Sequence, residues 1–287
     1  MATPRVWLIT GASSGFGLEL AKIAASHGNR VIAASRSPQK LAGIEGIKAV
    51  YLDHNEPLEK VRAAIKEIIG IYGTIDVVVN NAAYVQTGTI EETSVEETER
   101  QFQANTFGPI NVYRAVLPTL RAKRAGTLVT IGSMAAWYPM NSCNLYNASK
   151  AALRQLVIGL AEEVKPFGIK HCLVEPGFFR TNLLNPNANI AKTTEKARIA
   201  DYAQLNKDSD NAFTTYHGNQ GGDPVKGARV IYDVITSSGV AAGRDLPGFL
   251  PLGSDATTSI TKSAQETIDQ VKDWAEVAAQ SDFATGN

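Results

Sequence analysis

Short apolar runs alternate with longer amphipathic ones along most of the chain. Val6 to Thr10, Val31 to Ala34, Lys48 to Leu52, Asp76 to Val79, Leu128 to Ile131 and His171 to Val174 are strand-like, brief and bounded by turn residues. Leu18 to His27, Leu58 to Tyr72, Val95 to Leu120 and Tyr146 to Phe167 carry apolar residues at helical spacing and are closed by Gly28, Gly73, Gly126 and Gly168. The third of these is interrupted near Gly108 and Pro109. Pro224 to Ile235 and Ile260 to Ala279 read as further helices, and Phe249 to Gly253 as a last strand. This alternation predicts βαβ units, hence one doubly wound α/β domain over 1–287 with a central parallel sheet of about seven strands. Right-handed crossovers place helices on both faces. The run Val77-Val78-Val79 fits a strand buried on both sides. Asn182 to Asp223 is polar and weakly periodic, and we read it as helical pieces in a lid, about 182–223.

In such sheets ligands bind at the carboxyl ends of the strands. Four of those ends are chemically unusual: T-G-A-S-S-G-F-G at Thr10 to Gly17, N-N-A-A at Asn80 to Ala83, Gly132-Ser133, and Glu175-Pro176-Gly177. Gly11, Gly15 and Gly17 stand directly after a strand and before a helix, where a tight turn offers free amides and a positive dipole end to a phosphate. A plain βα turn needs one glycine rather than three. The next strand ends A-A-S-R-S, with Ser35 and Arg36 and no acid. A carboxylate there would hold the ribose of NAD and repel a 2′-phosphate, whereas a guanidinium pairs with one. NADP(H) is therefore expected over NAD. The alternative for Arg36 is a surface charge near a helix start.

Tyr146 and Lys150 stand four apart on a presumed helix and so share a face. A close ammonium favours phenolate, so Lys150 is expected to lower the tyrosine pKa and make Tyr146 a proton donor or acceptor. Alone the spacing is common on helix surfaces. Ser133 at a neighbouring strand end would be a second donor to a carbonyl oxygen that gains charge as hydride arrives. Taken singly, Ser133 reads as a strand-end cap and Asn105 as a polar helix residue. Cys143 and Cys172 make neither a disulfide framework nor a metal cluster. The four histidines show no metal spacing, and no metal is expected.

With these pieces together, the chain resembles the short-chain dehydrogenase/reductase family, with a Rossmann-like fold. The resemblance rests on Thr10 to Gly17, Asp53, Asn80 to Ala83, Asn105, Ser133, Tyr146-x-x-x-Lys150 and Pro176-Gly177. The residues after Pro-Gly and the later L-P-L-G-S-D-A look like its carbonyl-reducing and 17β-hydroxysteroid-dehydrogenase-like members. The resemblance implies that Gly11, Ser13, Ser14, Gly15, Phe16 and Gly17 hold the pyrophosphate and nearby ribose. It puts Arg36 on the 2′-phosphate, Asp53 and His54 on adenine, and Asn81 in support of cofactor and sheet. Lys150 would bind the nicotinamide ribose, and Pro176, Gly177 and Thr181 the nicotinamide end. Ser133 would bind the substrate carbonyl, Tyr146 would protonate it, and Asn105 would hold a water linking Lys150 to solvent. One departure is visible: the family's N-N-A-G is N-N-A-A here, and Ala83 adds a methyl.

Tyr84, Trp137, Tyr138, Met140, Phe178 and Phe179 flank these motifs. They read either as the walls of a pocket for a bulky apolar carbonyl compound or as packing under loops; Tyr84, Tyr138, Phe178 and Phe179 are the substrate candidates. Charge adds an exclusion. Lys plus Arg and Asp plus Glu are 28 each, so nothing points to nucleic acid or an acidic membrane. The start runs straight into a strand, and no apolar run is long enough to span a bilayer, which reads as a cytoplasmic protein. Leu153, Leu156, Val157 and Leu160 suit either sheet packing or a homodimer or homotetramer interface. The expected function is NADPH-dependent reduction of a ketone or aldehyde. The alternatives are the same chemistry run oxidatively on an alcohol or hydroxysteroid, and a non-catalytic dinucleotide sensor, which would have no use for the Tyr/Lys pair.

Overall fold

Val77, Val78 and Val79 are fully buried and mark the centre of the sheet. The computed structural model describes residues 3–185 and 188–283. The strands are β1 (Val6–Thr10), β2 (Arg30–Ser35), β3 (Ile47–Tyr51), β4 (Val77–Asn80), β5 (Val85–Thr87), β6 (Gly126–Ile131), β7 (Ile169–Pro176), β8 (Ile190–Lys192) and β9 (Phe249–Leu252). Seven of them form one parallel sheet in the order β3-β2-β1-β4-β6-β7-β9, with Leu8 beside both Ile32 and Val78. The order reverses between β1 and β4, so the loops leaving those two strands open a crevice at the switch point.

The helices are α1 (Gly15–Ser26), α2 (Leu58–Gly70), α3 (Val95–Phe102), α4 (Gly108–Lys123), α5 (Asn144–Val164), α6 (Ala203–Tyr216), α7 (Pro224–Thr236) and α8 (Ser254–Ala278). One core lies under α1 and α7, where Trp7, Ile9, Leu20 and Ile231 pack together. The other lies under α2, α4 and α5, with Leu8, Ile32, Ile65, Val112, Leu153 and Val157. Each fully buried Leu, Ile or Val of these layers contributes about 1.5–3 kcal/mol of burial free energy. On α5, Leu153 and Val157 are therefore sheet-facing, while Leu156 is exposed.

Several boundaries differ from the sequence reading. α1 starts at Gly15 rather than Leu18, because the glycine-rich segment itself forms the first helical turn. α8 starts at Ser254 rather than Ile260; its polar first turns carry no apolar period. The break in Val95 to Leu120 is a π turn, Gln103–Phe107, just before Gly108. Pro109 then falls in the first turn of α4, where its missing N–H leaves no extra orphan. α7 is capped by Asp223, which accepts from the amides of Val225 and Lys226.

The lid contains β8 and α6 together with short turns. β8 pairs with β5, directly after N-N-A-A, in a separate two-stranded sheet that the sequence reading did not foresee. A buried carboxylate fastens the rest. Glu92 accepts from Thr89, from the Ile199 amide at 2.9 Å and from Asn206 Nδ2 at 2.8 Å, and pairs with Arg198 at 3.4 Å. Thr193 Oγ1 adds a bond to Glu97 at 3.1 Å, and the Tyr202 hydroxyl donates to Glu91 at 2.8 Å.

Candidate active site

A cavity of about 1090 Å³ runs along the carboxyl ends of the strands. Its floor begins with the glycine turn. Gly11 sits at φ 62°, and a Cβ there would come within 2.7 Å of Ala82 Cα. At Gly17 a Cβ would come within 2.6 Å of Asn81 Nδ2 and 2.7 Å of the Gly11 carbonyl oxygen. Asn81 needs that space, because its amide nitrogen donates to Thr10 O at 3.1 Å and Gly11 O at 3.2 Å. The two glycines thus let the β1 and β4 loops lock together. Gly17→Ala should destabilise the fold by about 1–3 kcal/mol, read as a lower melting temperature.

The same turn leaves a helix end open. Ser14, the N-cap of α1, makes no side-chain bond to the helix, and the first turn holds no acid. Its amides are therefore available to an anion, backed by the positive end of the dipole. Ser13, Ser14, Gly15 and Phe16 line the cavity here, and Ser35, Arg36, Asp53, His54 and Asn55 line its far end. Burial lowers the His54 imidazole to about 4, against the pull of Asp53 and with Arg36 and Lys150 adding to the fall, so the ring is neutral at neutral pH. The uncapped helix, the glycine turn and the exposed Arg36 fit a phosphorylated dinucleotide.

At the other end α5 presents Tyr146 and Lys150, both buried. Lys150 Nζ donates to the Ile131 carbonyl at 2.9 Å, at the end of β6. Ser133 follows two residues later and accepts from the Ala135 amide at 3.1 Å. The expected pKa effect is reversed. Burial pushes the Tyr146 phenol up to about 12, and Ser133's hydrogen bond only partly opposes it. Lys150 is itself pulled down to about 8 by burial and faces a carbonyl, so it does not draw the phenol down. Tyr146 is accordingly a fully protonated donor.

Asn105 lies in the π turn, outside the cavity wall. Its side chain brackets Tyr84, donating to the Tyr84 carbonyl at 3.0 Å and accepting from its amide at 3.1 Å, and also donates to Ser149 Oγ at 3.1 Å. The side chain expected to hold a water is thus committed to protein partners.

Beside Tyr146 the cavity wall is apolar and forms a chamber. Val85, Ala135, Cys143, Leu184 and Ile190 form its buried wall, with Met140, Phe178, Leu183 and Phe213 packed against them. Burial raises the Cys143 thiol to about 12, so it serves as wall rather than nucleophile. Pro176, Gly177 and Thr181 line the cavity, and Asp255 Oδ2 fixes their turn by accepting from the Phe178 amide at 2.7 Å. Tyr84 and Phe178 line the cavity as expected. Phe179 touches it but packs edge-on against Phe16, 4.8 Å between ring centres, within the sheet core. Tyr138 is a correction: it faces a second hollow with Met134, Tyr216 and Lys226, on the far side of Phe178. Asn147 Nδ2 pins the Tyr138 carbonyl there at 3.0 Å. Trp137 also turns away, donating its indole N–H to Glu175 at 2.5 Å. Leu183, Leu184, Ile190 and Phe213 come from the lid; Phe213 is legible there as an aromatic in the suspected lid, whereas the Leu183-Leu184 pair and Ile190 carry no periodic signal in a polar stretch.

Known proteins resemble this chain in sequence and fold. The short chain dehydrogenase family model matches residues 5–191. An oxidoreductase of Botryotinia fuckeliana is 30% identical over 96% of this chain and 99% of its own. A 3-ketodihydrosphingosine reductase of Bacteroides thetaiotaomicron is 38% identical over 70% of this chain and 72% of its own. Among solved structures, a short-chain dehydrogenase from Streptomyces avermitilis superposes with a TM-score of 0.85 at 33% identity, covering 98% of this chain and 100% of that one. Both cofactors occur on this fold. A metagenomic short-chain oxidoreductase holds NADP (28% identity, TM-score 0.58, 61% of this chain and 83% of that one). An enzyme of Burkholderia phymatum holds NAD (20% identity, TM-score 0.74, 96% of this chain and 95% of that one). Matched along nearly two-thirds of its length by the family model, and along almost all of it by a 30% identical relative, this chain belongs to the short-chain dehydrogenase family.

Proposed function

We propose that the chain is a cytoplasmic reductase that uses NADPH to convert a bulky apolar or aromatic ketone or aldehyde to the alcohol. The observation that carries this reading is a protonated, buried Tyr146 at the mouth of an apolar chamber, opposite an uncapped helix end and Arg36. Bound NADPH supplies the hydride. Backbone amides at Ser13 to Gly17 take the pyrophosphate, with Gly11 and Asn81 shaping the turn, and Arg36 pairs with the 2′-phosphate. Asp53 and His54 border adenine, while Pro176, Gly177 and Thr181 border the nicotinamide. Lys150 donates to the nicotinamide ribose. Ser133 and Tyr146 donate to the substrate oxygen, where negative charge develops, and Tyr146 gives up its proton to that oxygen. Asn105 holds Tyr84 and thereby the wall of the chamber.

The same features support a direction and a substrate class. A donor titrating at about 12 is in the form that reduction consumes. The chamber wall is apolar, which suits a hydrocarbon-rich carbonyl compound, and the Bacteroides relative is named for reducing a ketone. The two cysteines are buried and free, which fits a reducing compartment. Exposed Leu156 and Ile158 on α5 support a homodimer or homotetramer through that helix. Loss of NADPH absorbance across small, aromatic and polycyclic ketones tests the reading. Turnover rising with apolar bulk is expected, and no turnover of any member overturns it. Arg36→Asp should lower the NADPH/NADH preference by roughly 10- to 100-fold, the value of a hydrogen bond to a charged group. An unchanged ratio would refute the cofactor assignment.

A further inference from the structure

Glu175 has no part in the scheme above, yet it is the most deeply placed acid near the site. It stands one residue before Pro176 at the end of β7 and is fully buried. Three elements converge on its carboxylate. The loop after Ser133 sends the Trp137 indole N–H to Oε2 at 2.5 Å. Helix α5 sends Arg154, whose Nε lies 3.7 Å from Oε1 and whose guanidinium stacks 4.3 Å from the Trp137 ring centre. Just past β6, Gly132 leaves enough room: a Cβ there would come within 2.9 Å of Glu175 Cγ and 3.3 Å of Oε1. Arg154 is one helical turn from Lys150, whose Nζ binds the Ile131 carbonyl at 2.9 Å; Ile131 pairs with Val174, next to Glu175, so both cations lie on the helix face over this end of β6 and β7. Oε1 has no hydrogen-bond donor of its own, which leaves its charge to act on the cations through space.

We propose that Glu175 is a positioning residue: its buried carboxylate keeps Lys150 as an ammonium and, through Trp137, holds the Ser133 loop against α5. The inference rests on the catalytic assignment of Lys150 and Ser133 above. A buried ammonium is costly unless a counter-charge lies near it. Burial lowers Lys150 to about 8, and Glu175 is the charge that works against that fall. The effect is mutual: burial raises the Glu175 carboxyl, while Trp137, Arg154 and Lys150 hold it down. Among the remaining neighbours only Arg154 brings a charge at neutral pH, and as a cation it competes for the same carboxylate. His54 is neutral, Tyr146 is protonated, and Arg154 stays charged throughout. An ammonium at Lys150 can donate to a ribose hydroxyl with all its protons, whereas the free amine is a weaker donor. An alkaline limb in the rate near pH 8 therefore belongs to Lys150.

Glu175→Gln keeps the shape and an acceptor for Trp137 but removes the charge. It should move the alkaline limb of kcat/KM to lower pH by about one unit. Activity would fall about fivefold at pH 8 and little at pH 6, a split that a merely structural defect would not give. In the cofactor-free protein, the Lys150 side-chain NMR titration, assigned by loss of its signal in Lys150→Met, should shift the same way. Arg154→Met alters a part-exposed side chain and serves if the Gln variant does not fold. Removing that competing cation should move the same titration to higher pH. An unmoved Lys150 titration in the variant that folds overturns the proposal. The site assignment fails separately, if Tyr146→Phe keeps its turnover.

Discussion

Tyr146→Phe should reduce turnover by about 10²–10⁴-fold, the range of a positioned general acid. NADPH affinity should stay within about twofold of the parent, because the hydroxyl lies at the substrate end and the phosphate turn lies across the cavity. Phenylalanine fills the same volume, and the backbone carbonyl of residue 146 keeps its bond from Ser149 Oγ at 2.7 Å, so the helix should be undisturbed. The parent's pH profile provides a second check. The phenol titrates near 12, so no loss of rate between neutral pH and about pH 10 should come from Tyr146. Steady-state kinetics and a fluorescence titration with NADPH decide both points. Turnover near the parent value would remove Tyr146 from the chemistry.

Glu92→Ala should release the lid. The substitution strips the acceptor from Thr89, the Ile199 amide and Asn206, and leaves Arg198 unpaired. Removing one partner from such a buried set costs about 3–5 kcal/mol. That cost falls mainly on local docking, because Glu92 joins the lid to the segment before α3 and touches neither sheet core. Amide exchange at Ile199 should accelerate strongly and KM for the carbonyl substrate should rise, with NADPH affinity little changed. Acid should mimic the variant. Burial works to raise the Glu92 carboxyl, but bonds from Ile199, Thr89 and Asn206 outweigh it and hold it below its ordinary 4.5. A depressed carboxyl contributes its full stability above the unfolded value and loses it as pH falls through the folded one. Lid protection should therefore be flat from neutral pH down to about 4.5 and then collapse. Exchange at Ile199 that ignores both the substitution and acid would show that the lid is held elsewhere.

Much of this molecule was legible from its residues, and the reasons differ between parts. The five inner sheet strands announce themselves as apolar runs because both faces are covered, while the edge strands β3 and β9 are part-exposed; the observed bounds fall close to those runs. The glycine turn and the Tyr146/Lys150 pair are legible in that their spacing after a strand and along one helix face brings both to the wall of one cavity. β5 and β8 were not legible, since each is three residues long and its partner is remote in the chain. Glu92 lies in a polar stretch, where a carboxylate reads as solvated until its donors are seen. Trp137 reads equally as pocket wall or as packing under loops, and a buried carboxylate decides for packing by claiming its indole N–H. The Tyr146 pKa went the other way from expectation because spacing reveals a neighbouring charge and says nothing about burial.

The β5–β8 pairing has a consequence for how the protein comes into being. Thr193 bonds the Thr87 carbonyl across 106 residues of chain, at 3.1 Å. Closing so long a loop is entropically slow, and contacts of this range are rewarded only after the intervening segments have found their places. During synthesis the glycine turn, N-N-A-A and α5 are all complete before β8 is made. The segments of the phosphate turn thus precede the lid wall of the substrate chamber in synthesis, but α7, which completes the core under α1, and α8, whose Asp255 fixes the Phe178 turn, follow both, so binding and specificity mature together.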